Sequence, residues 1–387
     1  MAGSTLGTLF TATTWGESHG AALGAVVDGC PAGLSLCEED IQLYLDRRKP
    51  GQGKFTTARR EGDRAKILSG VFEGKTTGTP ISILIENEDQ RSRDYSAIKD
   101  CCRPGHADYT FDQKYGIRDY RGGGRSSGRE TAGRVAAGAV AAKLLAELDI
   151  RLTAYTKAIG DISIPDGAYD FSQIKENPLY MPSRSHAEEA SAFLEDCIRR
   201  QDSAGGVIEC RIDGLPAGIG EPVFHKLDAA LAGAAMSIGA VKGVEIGDGF
   251  AAARSLGSRN NDPFYADDSG VHKRTNHAGG ILGGISDGST VILRAAVKPT
   301  PSISREQDTV DREGNNLKLS IRGRHDPVIV PRAVVVVEAM AALTVADLLL
   351  MRMSSRLSDI KDFYSRLQMG SRPPDNHSAT PGSILLR

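Results

Sequence analysis

The sequence predicts an α+β protein, one large domain in which antiparallel-rich sheets pack against helices. Three observations carry this. Thr5–Thr14 alternates apolar with small or hydroxyl residues, and Ala21–Val27 is a second β-like run, so the two read as a hairpin about a turn at Gly16–Gly20. Arg129–Leu148 and Arg332–Met353 are long helical segments, the first rich in Ala and Gly, the second almost wholly apolar. No break in composition marks a linker, so residues 1–365 read as a single domain, and 366–387 as a disordered polar tail. Hairpins followed by helices recur in both halves, which points to an internal pseudo-duplication that sequence matching alone does not establish.

Glu38–Arg47 predicts a short helix. Asp46–Lys66 follows with eight basic and three acidic residues, a loop that reads either as solvated or as a lid over an anionic ligand. Lys66–Phe72 and Pro80–Glu86 predict paired strands around Gly74–Gly78. Ser127 and Glu130 have capping-box spacing and start the first long helix, whose small residues permit close packing. Arg151–Ile159 and Val207–Ile212 predict strands, with a polar one-helix excursion over Asp161–Arg200 between them. Pro222–Met236 predicts a helix, Val241–Gly249 a strand and turn, Ser269–Gly288 a glycine-rich loop and Val291–Lys298 a strand. Arg322–Pro327 is a compact charged turn. In the last long helix Glu338 and Asp347 are nine residues apart and so fall on opposite faces.

Composition narrows the function. The 387 residues are 40% hydrophobic and 25% charged, with a net charge of −2, so nucleic acid is not the expected partner. The six cysteines include no C-x-x-C pair, which favours a reducing cytoplasm over a disulfide scaffold or zinc site. The N-terminus lacks a basic start followed by an apolar run, and Glu338 and Asp347 interrupt the longest apolar stretch, so neither a signal peptide nor a membrane span is expected.

The chemistry concentrates between Arg103 and Arg134. Six arginines, His106 and the Gly122-Gly123-Gly124 run lead into a helix start. Guanidinium forks, close backbone approach and free helix N–H groups are three separate means of holding an anion. His19 and Ser18 lie in the GESHG turn. There is no G-x-S-x-G elbow, P-loop or strand-anchored dinucleotide fingerprint. The histidines also lack metal-ligand spacing, so no metal is expected. Many fixed cations and two histidines suit a multiply anionic small molecule undergoing proton chemistry or loss of phosphate. An RNA-binding protein is the competing reading, and the basic loop argues against it because Phe55 is its one aromatic.

Six blocks together resemble the signature of the chorismate synthase family: GESHG (Gly16–Gly20), RPGHADYT (Arg103–Thr110), YRGGGRSSGRET (Tyr120–Thr131), NHAGGILGGISDG (Asn276–Gly288), KPTPSI (Lys298–Ile303) and GRHDP (Gly323–Pro327). The resemblance spans roughly residues 3 to 355. It implies a β-α-β sandwich, two antiparallel-rich sheets flanking helices, and a homotetramer. It implies a lyase that converts 5-enolpyruvylshikimate 3-phosphate to chorismate by 1,4-anti elimination of phosphate, with reduced FMN as cofactor. By the same resemblance, His19 and His106 handle protons at the leaving phosphate and the flavin, and Asp326 steers proton transfer. Ser18, Arg48, Arg103, Arg129, Arg134 and Arg324 clamp the substrate. Arg125, Ser126, Ser127, Gly239, Ala240, Gly283, Lys298, Pro299, Thr300, Pro301, Ser302 and Arg324 contact flavin, and Arg48 and Lys54 are candidates for NADP. Three positions depart from the family pattern: Lys54 stands where Arg is common, Gly239 where Asn is usual, and Pro301 where Ser is common. Lys54 loses the bidentate fork but keeps the charge, Gly239 lacks a side-chain contact to flavin, and Pro301 removes a hydroxyl and an N–H donor.

Overall fold

The computed structural model describes residues 3–51, 53–56, 61–88, 99–268, 270–321 and 326–370. The first half runs β1 (Thr5–Leu6), β2 (Thr11–Gly16), β3 (Ala22–Asp28), α1 (Glu38–Arg48), β4 (Ala65–Ile67), β5 (Val71–Phe72), β6 (Lys75–Thr76), β7 (Ile81–Glu86), α2 (Asp108–Tyr115) and α3 (Thr131–Ala146). The second runs β8 (Arg151–Ile159), β9 (Ile162–Ser163), α4 (Arg184–Arg199), β10 (Gly206–Asp213), α5 (Leu227–Met236) and β11 (Val241–Ile246). It continues through α6 (Gly257–Asn260), β12 (Phe264–Asp267), β13 (Gly270–Lys273), β14 (Ile281–Leu282), β15 (Ile285–Ser286), β16 (Val291–Val297), β17 (Gln307–Val310), β18 (Asn316–Leu319), α7 (Val330–Arg352) and α8 (Leu357–Gly370).

Two antiparallel five-stranded sheets, ordered β1-β2-β3-β7-β4 and β11-β16-β10-β8-β9, enclose a layer of helices. Helix α3 packs on the first sheet and α7 on the second, while α3 and α7 pack on each other. Glycine makes that last contact possible: a methyl group at Gly138 would lie 2.3 Å from Ala339 Cβ. Helix α7 is long and apolar enough to cross a membrane, but both its faces are buried in this core. Its two carboxylates each serve one sheet, as their opposed spacing predicts. Asp347 accepts the N–H groups of Thr8, Leu9 and Phe10 at 2.7–3.0 Å. Glu338 takes a bidentate Arg47 at 2.7 and 2.8 Å and the Ala154 N–H at 3.1 Å.

The two halves repeat one plan. In each, an antiparallel pair of sheet strands (β2–β3, β8–β10) is followed by a helix, an outer strand, a hairpin of two-residue strands, a fourth strand and then a long helix, with further elements inserted between them, most in the second half. The matching turns are DGCPAGL (Asp28–Leu34) with DGLPAGI (Asp213–Ile219), and GVFEGKTTG (Gly70–Gly78) with GILGGISDG (Gly280–Gly288). Their hydrogen bonds also match. Thr76 Oγ1 accepts Leu34 N and donates to Pro31 O, while Ser286 Oγ accepts Ile219 N and donates to Pro216 O. The pseudo-duplication is therefore present in the backbone, in blocks too short and too unevenly spaced to stand out in the sequence.

Four expectations need correction. The helix expected over Pro222–Met236 begins only at Leu227, because Val223 sits at φ +68° in a turn closed from Glu221 to His225. The glycine-rich loop Ser269–Gly288 contains β13 and the β14–β15 hairpin, whose glycines mask the strand pattern. Helix α3 is preceded by a separate 3₁₀ turn at Gly128–Glu130, capped by Ser127, and Glu130 turns to Arg134. Residues 366–370 belong to α8, and the rest of the expected tail lies outside the described residues.

Candidate active site

The site forms where the β2–β3 turn, the glycine run and the segments after β7 and β16 meet. Ser18 and His19 are buried at the turn, with Ser18 Oγ 3.2 Å from His19 Nδ1. A methyl group at Gly122 would lie 2.6 Å from His19 Cε1, and one at Gly123 would lie 2.9 Å from His106 Cε1. The two residues also hold φ of +67° and +89°, so glycine is required here twice over. This bare strand of backbone separates the two imidazoles.

His106 Nδ1 is 3.0 Å from both Arg103 Nη2 and Asp108 Oδ1. Arg103 in turn is bidentate to Asp108, with both contacts at 2.7 Å. Burial alone would raise the Asp108 carboxyl, but hydrogen bonds from Arg103 and His106 outweigh it and hold the group well below the carboxylate range. Lys298 Nζ donates to Gly105 O at 2.5 Å, and Pro301 packs on Gly105, which brings the KPTPS segment against the His106 turn. Lys298 N donates to Ala240 O. Arg134 reaches the same side, donating to Ser237 Oγ at 2.6 Å.

A second cluster adjoins the first. The Asp63 carboxylate is fully buried between Arg48 (2.5 Å) and Arg129. Burial again opposes ionisation, and the two guanidinium charges override it, holding the carboxyl at about 2. Arg332 donates to Arg48 O at 3.0 Å and to Asp326 at 2.5 Å, which ties the α7 N-terminus to the cluster. Arg48 Nε and Thr300 Oγ1 are buried without a partner among the described residues. These orphaned groups, the bare Gly122–Gly123 backbone and the nearby Lys298 fit a planar ring with polar edges and a phosphate.

Not every candidate joins this assembly. Arg125 spends its donors on Gly16 O, Thr14 O and Oγ1, and Ser4, so it anchors the glycine run to the first sheet. Ser126 donates to Gly123 O, and Ser127 caps the turn that carries Arg129. Pro299 and Pro301 flank Thr300, Ser302 follows Pro301, and Gly239 precedes Ala240. Lys54 is exposed and pairs with Glu195 of α4 at 2.6 Å, apart from Arg48. Gly283 lies on the β14–β15 turn, at the opposite end of β16 from Lys298. Arg324 is outside the described residues. Asp63, Asn87, Asp108 and Arg332 complete the assembly and were missed. Asp108 lies within the RPGHADYT block, and a carboxylate five residues from an arginine was the available signal. Nothing local marks the other three.

The family model described as chorismate synthase matches residues 10–350. The chain belongs to the chorismate synthase family. A chorismate synthase of Agathobacter rectalis is 61% identical over 95% of this chain and 100% of its own length. That of Lachnoclostridium phytofermentans is 63% identical over the same shares. A solved structure titled as the crystal structure of chorismate synthase superposes with a TM-score of 0.73 at 32% identity, covering 94% of this chain and 99% of that one. The α+β fold and the lyase activity inferred from the signature blocks are therefore those of the chorismate synthase family, with its place in aromatic amino-acid biosynthesis.

Proposed function

We propose that the two adjoining clusters are one site that binds 5-enolpyruvylshikimate 3-phosphate beside reduced FMN and eliminates phosphate. The observation that carries this is the pair of imidazoles held either side of the Gly122–Gly123 backbone, next to Arg103, Arg48 and Arg129. A substrate with one phosphate and two carboxylates needs several fixed cations once water is excluded. Arg48, Arg129 and Arg134 are assigned to its anionic groups, with Arg324 added by the family resemblance.

His19 is assigned to the leaving phosphate, where a protonated imidazole stabilises the charge developing on oxygen. Ser18 beside its Nδ1 orients the ring. His106 is assigned to the flavin side, its ring fixed by the Arg103–Asp108 pair. Thr300, Ser302, Lys298 and the backbone at Ala240 are assigned to the flavin's edges and phosphate. Reduced FMN, when bound, supplies transient electron density to the substrate and regains it by the end of the cycle. Asp326, held by Arg332, is assigned to proton steering. Gly283 is remote from these groups within one chain, and the proposed cytoplasmic homotetramer would supply it from another copy.

Turnover of 5-enolpyruvylshikimate 3-phosphate by His19→Ala and His106→Ala tests the assignment. Each is expected to fall about 10- to 10,000-fold. Wild-type turnover by either variant removes that histidine from the mechanism. Comparing NADPH-driven with dithionite-driven turnover of the pure protein tests the nicotinamide assignment of Arg48 and Lys54. Comparable rates support it, and turnover with dithionite alone removes it.

A further inference from the structure

Asn87, the first residue beyond β7, carries no role in the mechanism above, yet it joins the two clusters. Its backbone N–H donates to Ala21 O at 3.2 Å, extending the β3–β7 ladder one step. Its side-chain Nδ2 donates to Glu17 O at 3.0 Å and to Gly20 O at 2.8 Å. Its Oδ1 accepts from Arg129 Nε at 2.9 Å. Glu17 and Gly20 are the two ends of the turn that holds Ser18 and His19, and Gly20 N–H closes that turn on Glu17 O. One amide therefore grips both shoulders of the histidine turn and the guanidinium of a substrate arginine.

The chemistry of this position is narrow. It needs two donors on one atom and an acceptor on its neighbour, which only a carboxamide offers. A carboxylate would keep the Arg129 bond but set oxygen against two carbonyl oxygens. Serine and threonine cannot span three partners. Arg129 is independently fixed by Asp63 and by Glu86 O at 3.2 Å, so the amide is held from one side and holds from the other.

We propose that Asn87 is a positioning residue, setting His19 against the phosphate held by Arg129. This rests on the assignment of His19 to the leaving group. Its contribution to the rate passes through His19, and its contribution to binding passes through Arg129. Separate substitutions divide the two.

The test is a double-mutant cycle on chorismate formation with dithionite-reduced FMN, with thermal unfolding followed in parallel. Asn87→Asp, which keeps the Arg129 contact, is expected to lower kcat about 10- to 100-fold with KM changed less than about threefold. Asn87→Ala also removes the acceptor of Arg129 Nε and is expected to raise KM as well. In the His19→Ala background either substitution is expected to cost less than about threefold in kcat, because the group it positions is gone. Equal losses of kcat in the two backgrounds, or wild-type kcat in both Asn87 variants, overturns the proposal. If Asn87→Asp does not fold, Asn87→Ala carries the same comparison. If His19→Ala alone turns over at the wild-type rate, the assignment of His19 fails and this inference fails with it. A costly His19→Ala with additive Asn87 losses removes this inference alone.

Discussion

Replacing Asp63 by Asn keeps the shape of the side chain and removes the charge between Arg48 and Arg129. The folded carboxyl lies at about 2, against an ordinary value of 3.8. At about 1.36 kcal/mol per pH unit, that difference makes the ionised group worth roughly 2 kcal/mol to the fold. The folded pKa is depressed, so this stability is fully present above about pH 4 and is lost as pH falls from about 4 toward 2. With roughly 2.1 cal/mol/K of unfolding entropy per residue, 387 residues give about 0.8 kcal/mol/K, so Asp63→Asn should lower the melting temperature at pH 7 by about 3 °C. The uncompensated guanidinium pair can enlarge this, since removing one partner of a buried ion pair costs about 3–5 kcal/mol. The assay is calorimetric unfolding of wild type and variant at a series of pH values. Their difference should be largest near pH 7 and shrink toward pH 2.5. A difference below about 1 °C, or one that does not change with pH, would refute the view that Asp63 is ionised and holds the two arginines.

Gly123→Ala adds a methyl 2.9 Å from His106 Cε1 at a φ of +89°, and should cut turnover roughly 100-fold. Gly233→Ala, in open space on α5, should leave turnover within about twofold, and equal behaviour of the two variants would contradict the packing described here. Gly138→Ala forces α3 away from Ala339 of α7 and should destabilise by about 1–3 kcal/mol, measured by urea unfolding; an unchanged midpoint would mean the helices are not in that contact.

The sequence carried the fold best where periodicity and burial act together. Helix α7 survives a run of four valines, poor helix formers, because nearly every side chain in it is buried, and its apolar character was visible in the sequence. Strand β8 was legible end to end for the same reason. What failed was local. At 222–226 Pro-Val-Phe-His-Lys, placed where the sequence predicts the first turn of a helix, is turned aside by a positive φ at Val223, and at 269–288 glycines conceal real strand pairs. The site divided similarly. Residues inside the signature blocks, such as His19, His106 and Arg103, stand out by type and spacing. Asp63 joins Arg48 to Arg129, 66 residues further on, Asn87 meets Arg129 42 residues on, and Arg332 reaches back 284 residues to Arg48, so the contacts that draw them into the site are set by the fold. The duplicated turns were hidden because DGCPAGL and DGLPAGI are 185 residues apart while the GVFEGKTTG and GILGGISDG blocks are 210 apart, so a single-offset comparison aligns only one pair at a time.

The most direct measurement is anaerobic turnover of the pure protein with a trace of FMN and an excess of 5-enolpyruvylshikimate 3-phosphate. With the flavin reduced, chorismate and inorganic phosphate should appear in equal amounts, many per flavin, and with oxidised flavin neither should form. Phosphate release that ignores the flavin's oxidation state, or no chorismate with reduced flavin, would contradict a site in which two imidazoles and an arginine clamp close around substrate and reduced FMN together.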